Sequence, residues 1–149
     1  MRLDSAIRII SFHARIYAPD GNVCRTYLDH YERLAIGYDH TRTTIAGQRI
    51  THEEADALLC DDLEGLRIVI PPLIEGAELG VYQWNALLSF AHSMRFADFK
   101  QTTVLARIRC RRLQDVSAEI AKHTQHVTRT LHALTKRRAS ESELWQRAI

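Results

Sequence analysis

Covalent and metal staples are nearly missing from this chain. Its three cysteines, Cys24, Cys60 and Cys110, are odd in number and never fall in a Cys-x-x-Cys spacing, which excludes a disulfide framework and a zinc knuckle. No His-x-x-x-His helix motif with a glutamate is present, so zincin-type chemistry is excluded as well. No apolar run approaches the roughly 18 to 20 residues of a membrane span. Asp4 interrupts Met1 to Ile10, where a signal peptide would carry its apolar core. These absences lead us to expect a product made in the cytoplasm, without membrane association. Internal repeats and low-complexity tracts are missing too. What is present is 149 residues, 46% apolar and 26% charged, enough to bury a core in one unit of one or two lobes.

The net charge of +2 conceals an asymmetry. Residues 99–149 hold 11 Lys and Arg against 4 Asp and Glu, whereas residues 1–98 hold 9 against 14. A basic C-terminal face suits an anionic polymer. The arginines between Arg109 and Arg112 raise the option of nucleic acid, but no recognition motif accompanies them, and no nucleic-acid partner is expected.

Leu3, Ile7, Ile10, Ala14 and Tyr17 recur at helical steps, and Ala18-Pro19-Asp20-Gly21 punctuates the pattern, which predicts a first helix ending near there. Residues 22–50 are rich in Thr, Tyr and Ile, with Gly37 and Gly47 as punctuation, and suit a small antiparallel sheet, the single candidate β region. Thr51-His52-Glu53-Glu54 has the form of a capping box ahead of Ala55, Leu58, Leu59, Leu63 and Leu66, so a helix of about five turns follows. Pro71-Pro72 ends it. From Val81 onward the patterns are helical almost throughout, with stripes at Trp84, Leu87, Leu88, Ala91 and Met94, and at Val104, Leu105, Ile108 and Leu113. Further helical segments are expected around Val116 to Ile120, Val127 to Leu134 and Ala139 to Trp145.

Chemistry concentrates in the turn-rich stretch. Asp20-Gly21 and Tyr27-Leu28-Asp29 place two carboxylates nine residues apart, followed by Ile36-Gly37-Tyr38-Asp39-His40-Thr41. Two carboxylates are what a glycosidic bond requires, one to protonate the leaving oxygen and one to activate water or attack. Six residues after Asp29, where such a site would want a hydroxyl to hold water, stands Ala35.

Taken in order, these segments resemble the phage-type lysozymes, the endolysins of glycoside hydrolase family 24. Ile50-Thr51-His52-Glu53-Glu54-Ala55 with Asp62-Leu63 looks like that family's interlobe helix, and Asn85 to Ala91 looks like its central buried helix. Phe99 with Thr102-Thr103-Val104-Leu105, and Leu134, Arg137-Arg138, Glu141 and Leu144-Trp145, are similar to its later motifs. The resemblance implies an α+β, lysozyme-like single domain over residues 1–149. Lobe 1 would span about 12–55, a linking helix about 51–70 and a helical lobe about 73–149. It also implies hydrolysis of the N-acetylmuramic acid to N-acetylglucosamine β-1,4 bond of peptidoglycan by a monomer, without metal or organic cofactor, acting on the cell wall if released. Asp20 falls at the general acid and Asp29 at the second carboxylate, an inverting pair at a separation of about 6.5 to 9.5 Å. Tyr38, Thr41, His92 and Thr102 match substrate-binding positions, and His40 with Asp62 matches a structural pair that ties sheet to helix.

Departures from that family pattern have physical consequences. Its acid is usually Glu, and Asp20 withdraws the carboxyl by on the order of 1 Å, enough to cost about a hundredfold in rate. Ala35 stands for the usual Thr and offers water no hydrogen bond. Asp39 replaces a glycine, His92-Ser93-Met94-Arg95 replaces Phe-Asn-x-Gly, and Ala133 replaces a glycine. A catalytically weak or inactive lysozyme-like protein that binds cell wall or a partner is the alternative expectation.

Overall fold

Very short strands build the Ala14–Glu64 unit, one of two in the computed structural model, which describes residues 2–13, 16–126, 129–130 and 132–147. Strand β1 (Val23–Arg25) pairs antiparallel with β4 (Arg49–Thr51), Cys24 opposite Ile50. Strand β2 (Tyr27–Leu28) pairs antiparallel with β3 (Leu34–Ala35), Tyr27 opposite Ala35. Ile36 and His40 then bridge each other across the turn Gly37-Tyr38-Asp39. Buried Cys24, Ile36, Ile50 and Ala55 form the core of this unit, with Ile16, Tyr38 and Leu58 packed against it.

The capping box exists as drawn from sequence. Thr51 N–H donates to Glu54 Oε2 at 2.9 Å, and Glu54 N–H donates back to Thr51 Oγ1 at 3.1 Å, satisfying two otherwise orphaned donors at the start of α2 (His52–Val69). That helix buries Ala55, Leu59 and Leu63. The boundary between the units falls within it, after Glu64.

The second unit comprises Met1–His13 and Gly65–Ile149. Helix α1 (Asp4–His13) buries Ala6 and Ile10, and it ends before the apolar stripe does. Beyond it Ile16 packs on the core of the first unit's strands, and the Tyr17 carbonyl accepts from Arg25 N–H at 2.8 Å, so this stretch accompanies β1. Pro19 also disfavours helical backbone at Ala18. Ala14, the remaining stripe member, lies outside the described residues.

A 3₁₀ turn (Pro71–Ile74) precedes α3 (Val81–His92), whose residues Asn85 to Ala91 are all buried, the mark of a helix enclosed on every side. Asn85 satisfies the start of α1 from a distance. Its Oδ1 accepts from Ala6 N–H at 2.9 Å, and its Nδ2 donates to the Arg2 and Val81 carbonyls at 3.0 and 2.8 Å. Short helices α4 (Phe96–Phe99), α5 (Thr103–Arg109) and α6 (Leu113–Lys122) follow, then α7 (His132–Gln146), which packs on α3, α6 and α1.

Between α6 and α7 the expectation of helix around Val127 to Leu134 is met at His132 to Leu134, which begin α7, and corrected at Arg129 and Thr130, which are strand, while Val127, Thr128 and Leu131 lie outside the described residues. Strands β5 (Gln125–His126) and β6 (Arg129–Thr130) pair antiparallel, a second β region in the chain. The sequence His123-Thr124-Gln125-His126-Val127-Thr128-Arg129-Thr130 is rich in β-branched residues and contains no Ala or Leu, and that local preference wins over apolar spacing.

The polar centre of this unit is an ion network. Glu141, wholly buried, accepts from Ser89 Oγ at 2.6 Å, Arg137 Nε at 3.1 Å and Arg138 Nη1 at 2.6 Å. Arg137 also donates to the Ser89 carbonyl at 2.6 Å. Arg138 reaches the His123 carbonyl at 2.8 Å and Ser93 Oγ at 2.6 Å, with its guanidinium 4.6 Å from the Phe90 ring centroid. The Arg-Arg-x-x-Glu pattern is thus structural, and two of the cations counted toward a basic surface are inside.

Candidate active site

Asp20 sits on a tight turn in which Gly21 N–H donates to the Ala18 carbonyl at 2.9 Å. Its Oδ1 accepts from the Val23 and Asn22 N–H groups at 3.1 and 3.3 Å, an Asx-type turn, and Arg25 Nη2 lies 3.6 Å from Oδ2. Those donors, Val23 first and Asn22 next, favour the charged form and hold the carboxyl below the ordinary carboxylate range. A general acid needs the opposite, a proton retained near the working pH.

Asp29 is built differently. It closes a turn with Arg33, donating its N–H to the Arg33 carbonyl at 2.9 Å while Glu32 N–H donates to the Asp29 carbonyl at 3.0 Å. Oδ1 accepts from Tyr31 N–H and Arg33 N–H, both at 2.9 Å, and Oδ2 accepts from Arg33 Nε at 2.9 Å. A carboxylate has about four acceptor sites, so one remains, on Oδ2. The side chain is only 10% exposed, and the Arg33 guanidinium lies over the Tyr31 ring at 4.9 Å.

Ala35 is wholly buried opposite Tyr27, so its side chain offers water nothing at that point. Next along the hairpin, Gly37 has φ +62°, and a Cβ there would lie 2.9 Å from the Ala55 Cβ. Glycine alone fits both the left-handed backbone and the close approach of α2. Asp39 also adopts the left-handed region at φ +59°, and its Oδ1 accepts the Tyr27 phenol proton. Burial, and then that carboxylate, push the Tyr27 phenol well above its ordinary value. Sequence reasoning noted Asp39 as a backbone departure and missed this pair. The signal was there in the register: a strand residue facing Ala35, and a carboxylate four residues beyond Ala35 on the return of the turn.

His40 is 2% exposed and bonded on both ring nitrogens. Nδ1 lies 2.8 Å from Asp62 Oδ2 and 3.0 Å from Oδ1, while Nε2 lies 2.6 Å from Thr43 Oγ1 and 3.3 Å from Thr43 N–H. Because a backbone N–H can only donate, the network assigns the proton to Nδ1 and the lone pair to Nε2. Burial raises the Asp62 carboxyl, with the His40 hydrogen bond opposing that rise. Tyr38 packs partly buried on the strand core, and the Thr41 carbonyl accepts from Thr44 N–H at 3.3 Å.

Asp20, Asp29, Tyr38, His40, Thr41 and Asp62 therefore all belong to the Ala14–Glu64 unit, whereas His92 and Thr102 belong to the other. His92 ends α3. Thr102 caps α5, its Oγ1 accepting from Leu105 N–H at 3.3 Å and donating to the Phe99 carbonyl at 2.8 Å. Its hydroxyl proton is spoken for, which leaves one acceptor site. Among the described residues no group of three His, Cys, Asp or Glu could hold a metal ion.

A strand-bearing unit that leads through a capped helix into a mainly helical unit with one short strand pair, together with the relatives that follow, defines a glycoside hydrolase of the phage-lysozyme type on a lysozyme-like α+β fold. The endolysin of Acyrthosiphon pisum secondary endosymbiont phage 1 is 28% identical over 133 residues, covering 87% of this chain and 90% of its own. The muramidase domain of SpmX from Asticaccaulis excentricus superposes with a TM-score of 0.79 at 28% identity, over 95% of this chain and 94% of that one. The endolysin of Escherichia coli O157:H7 phage FAHEc1 shares the fold with a TM-score of 0.78 at 19% identity, over 100% of this chain and 96% of that one. The phage lysozyme family model matches residues 19–141, and the chain belongs to that family. No helix among the described residues is long and apolar enough to cross a membrane.

Proposed function

We propose that this protein cleaves the N-acetylmuramic acid to N-acetylglucosamine β-1,4 bond of peptidoglycan slowly, and best in acid. The observation that carries the reading is Asp29, a nearly enclosed carboxylate held by three donors with a single acceptor site left on Oδ2. Such a group is pre-organised to take one proton from water. Asp20 protonates the leaving oxygen. Because its own turn stabilises the anion, the protonated fraction grows only as pH falls, which confines turnover to the acid side. Tyr38, Thr41, His92 and Thr102 are the saccharide contacts in this proposal, with Thr102 accepting rather than donating.

The chain works as a monomer and as a single lysozyme-like domain of two lobes, is made in the cytoplasm and meets the wall on release. Nucleic acid is disfavoured by the arginines that first raised it. Arg109 pairs with Glu75 at 3.8 Å and Arg112 with Asp115 at 2.6 Å, and Arg111 donates to the Glu75 carbonyl at 2.7 Å. Turbidity clearing and reducing-end release on peptidoglycan between about pH 3 and 8 test the proposal. Activity rising toward acid, with inversion at the anomeric carbon by NMR, supports it, and silence at every pH rejects it. In that event the binding-only reading stands, favoured by the Asx turn that keeps Asp20 charged and by the buried methyl of Ala35.

A further inference from the structure

The β1–β4 pair turns one face to the core and the other outward. Cys24 and Ile50 are buried opposite each other, so the residues on either side of them point away from the core. On that outer face Arg25 stands directly opposite Arg49, and opposed residues carry their Cβ atoms about 4.5–5.5 Å apart. Like charges in that register destabilise a strand pair unless an anion screens them. The protein supplies only a loose one. Asp20 Oδ2 stands 3.6 Å from Arg25 Nη2, beyond a good hydrogen bond, with the two side chains 36% and 47% exposed in the order Arg25, Asp20. Arg25 Nε is shielded from solvent and has no hydrogen-bond partner among the described residues. Among those residues the Arg49 side chain has neither an ion pair nor a hydrogen bond. Each guanidinium is a fork of N–H donors, and the two together hold one distant carboxylate.

We propose that Arg25 and Arg49 form a seat for a free carboxylate on the peptide stem of peptidoglycan, which selects peptide-bearing strands and brings them alongside Asp20. The proposal rests on peptidoglycan as the ligand, as read above, and not on its cleavage. A carboxylate presents two oxygens in one plane, the shape that a guanidinium fork grips with paired hydrogen bonds. Long side chains from opposed strand positions can converge on one such group. The stem offers it as the free acid groups of its amino acids, whereas the sugar rings offer hydroxyls and amides. Seating it screens the repulsion across the strands and gives Arg25 a closer partner than Asp20. The phosphodiesters of wall polymers are oxyanions too, so the test sets them against the stem.

Isotope-labelled protein is titrated at fixed pH and low salt with soluble peptidoglycan fragments whose stem carboxylates are either free or amidated, and with glycerol phosphate as a third probe. The arginine Nε–H signals are followed by NMR. Free stems should bind about threefold to tenfold more tightly than amidated ones and should move the Arg25 and Arg49 signals. Arg25→Gln and Arg49→Gln should each remove most of that preference. Arg8→Gln, the same charge removed from an exposed position on α1, should leave it in place. Arg49→Gln should melt no lower than wild type, because it relieves a like-charge opposition. Equal binding of free and amidated stems, a preference that survives both substitutions, glycerol phosphate binding in place of the stem, or a clear fall in Tm for Arg49→Gln overturns this inference and leaves the hydrolytic reading intact. An arginine-dependent preference in a protein that cleaves nothing at any pH supports this inference and overturns the hydrolytic reading.

Discussion

Replacing Glu141 with Ala tests the helical unit at its most exposed liability, a buried anion shared by two buried cations. Glu141 is wholly buried, and Arg137 and Arg138 are 4% and 1% exposed. The substitution removes three accepted hydrogen bonds, from Ser89 Oγ, Arg137 Nε and Arg138 Nη1, and strands two positive charges where water does not reach. Breaking one partner of a buried pair costs about 3–5 kcal/mol. For a chain of this size each kcal/mol lowers Tm by about 2–4 °C, so the expected fall is roughly 6–20 °C. Urea unfolding followed by far-ultraviolet circular dichroism measures the free energy, and calorimetry measures Tm. Glu141→Gln should recover only part, because its amide nitrogen would donate toward a guanidinium that also donates. An all-apolar replacement of the three residues should not be neutral either, since the arginines also serve the Ser89 and His123 carbonyls. A loss below about 1 kcal/mol for Glu141→Ala, the range of an exposed pair, would refute the network's structural role.

Asp20→Glu carries the carboxyl about one methylene beyond the Val23 and Asn22 donors, so it should hold its proton at higher pH, raising kcat and moving the alkaline limb of the rate profile, where the general acid loses its proton, to higher pH. An unmoved profile counts against Asp20 as the acid. Gly37→Ala forces a side chain into the left-handed region and onto Ala55, adding about 1–2 kcal/mol of strain to about 1–3 kcal/mol of overpacking, to be read in urea melts. His13 and His123 are both lowered from about 6.5, chiefly by burial and then by Arg137 and Arg138 respectively, with the Glu141 charge opposing in each case. A folded state that binds protons less readily than the unfolded one loses stability as pH falls below the unfolded value, so stability should drop between about pH 7 and 5. His123→Gln should flatten part of that drop, and a stability that rises toward pH 5 contradicts it.

The α+β architecture was legible because its punctuation is local. Thr51 and Glu54 announce α2 within four residues, and the stripe Trp84, Leu87, Leu88, Ala91 announces α3. Where an outcome depended on tertiary partners, periodicity misled. The apolar stripe continued to Tyr17, yet Ile16 and Tyr17 joined the strands. Arg129 and Thr130, expected in a helical segment, pair with Gln125 and His126 in a run whose Thr-rich chemistry favours strands. The site residues lay in the sequence as identities, and their protonation did not. Nothing in Pro19-Asp20-Gly21 alone reveals that the backbone donors two and three residues on would secure the anion, and the Tyr27 bond to Asp39 needs the strand register before it can be seen.

The turn Gly37-Tyr38-Asp39-His40 is fastened to α2 twice. Gly37 lies against Ala55, and His40 bonds to Asp62, seven residues and about 10 Å further along the same helix. A bar gripped at one end swings, while a bar gripped at two does not. With its orientation set by the outer pair of residues, the turn can exchange what it displays in the middle without losing its aim, and positions 38 and 39 become a place where new chemistry can be tried at little risk to the fold.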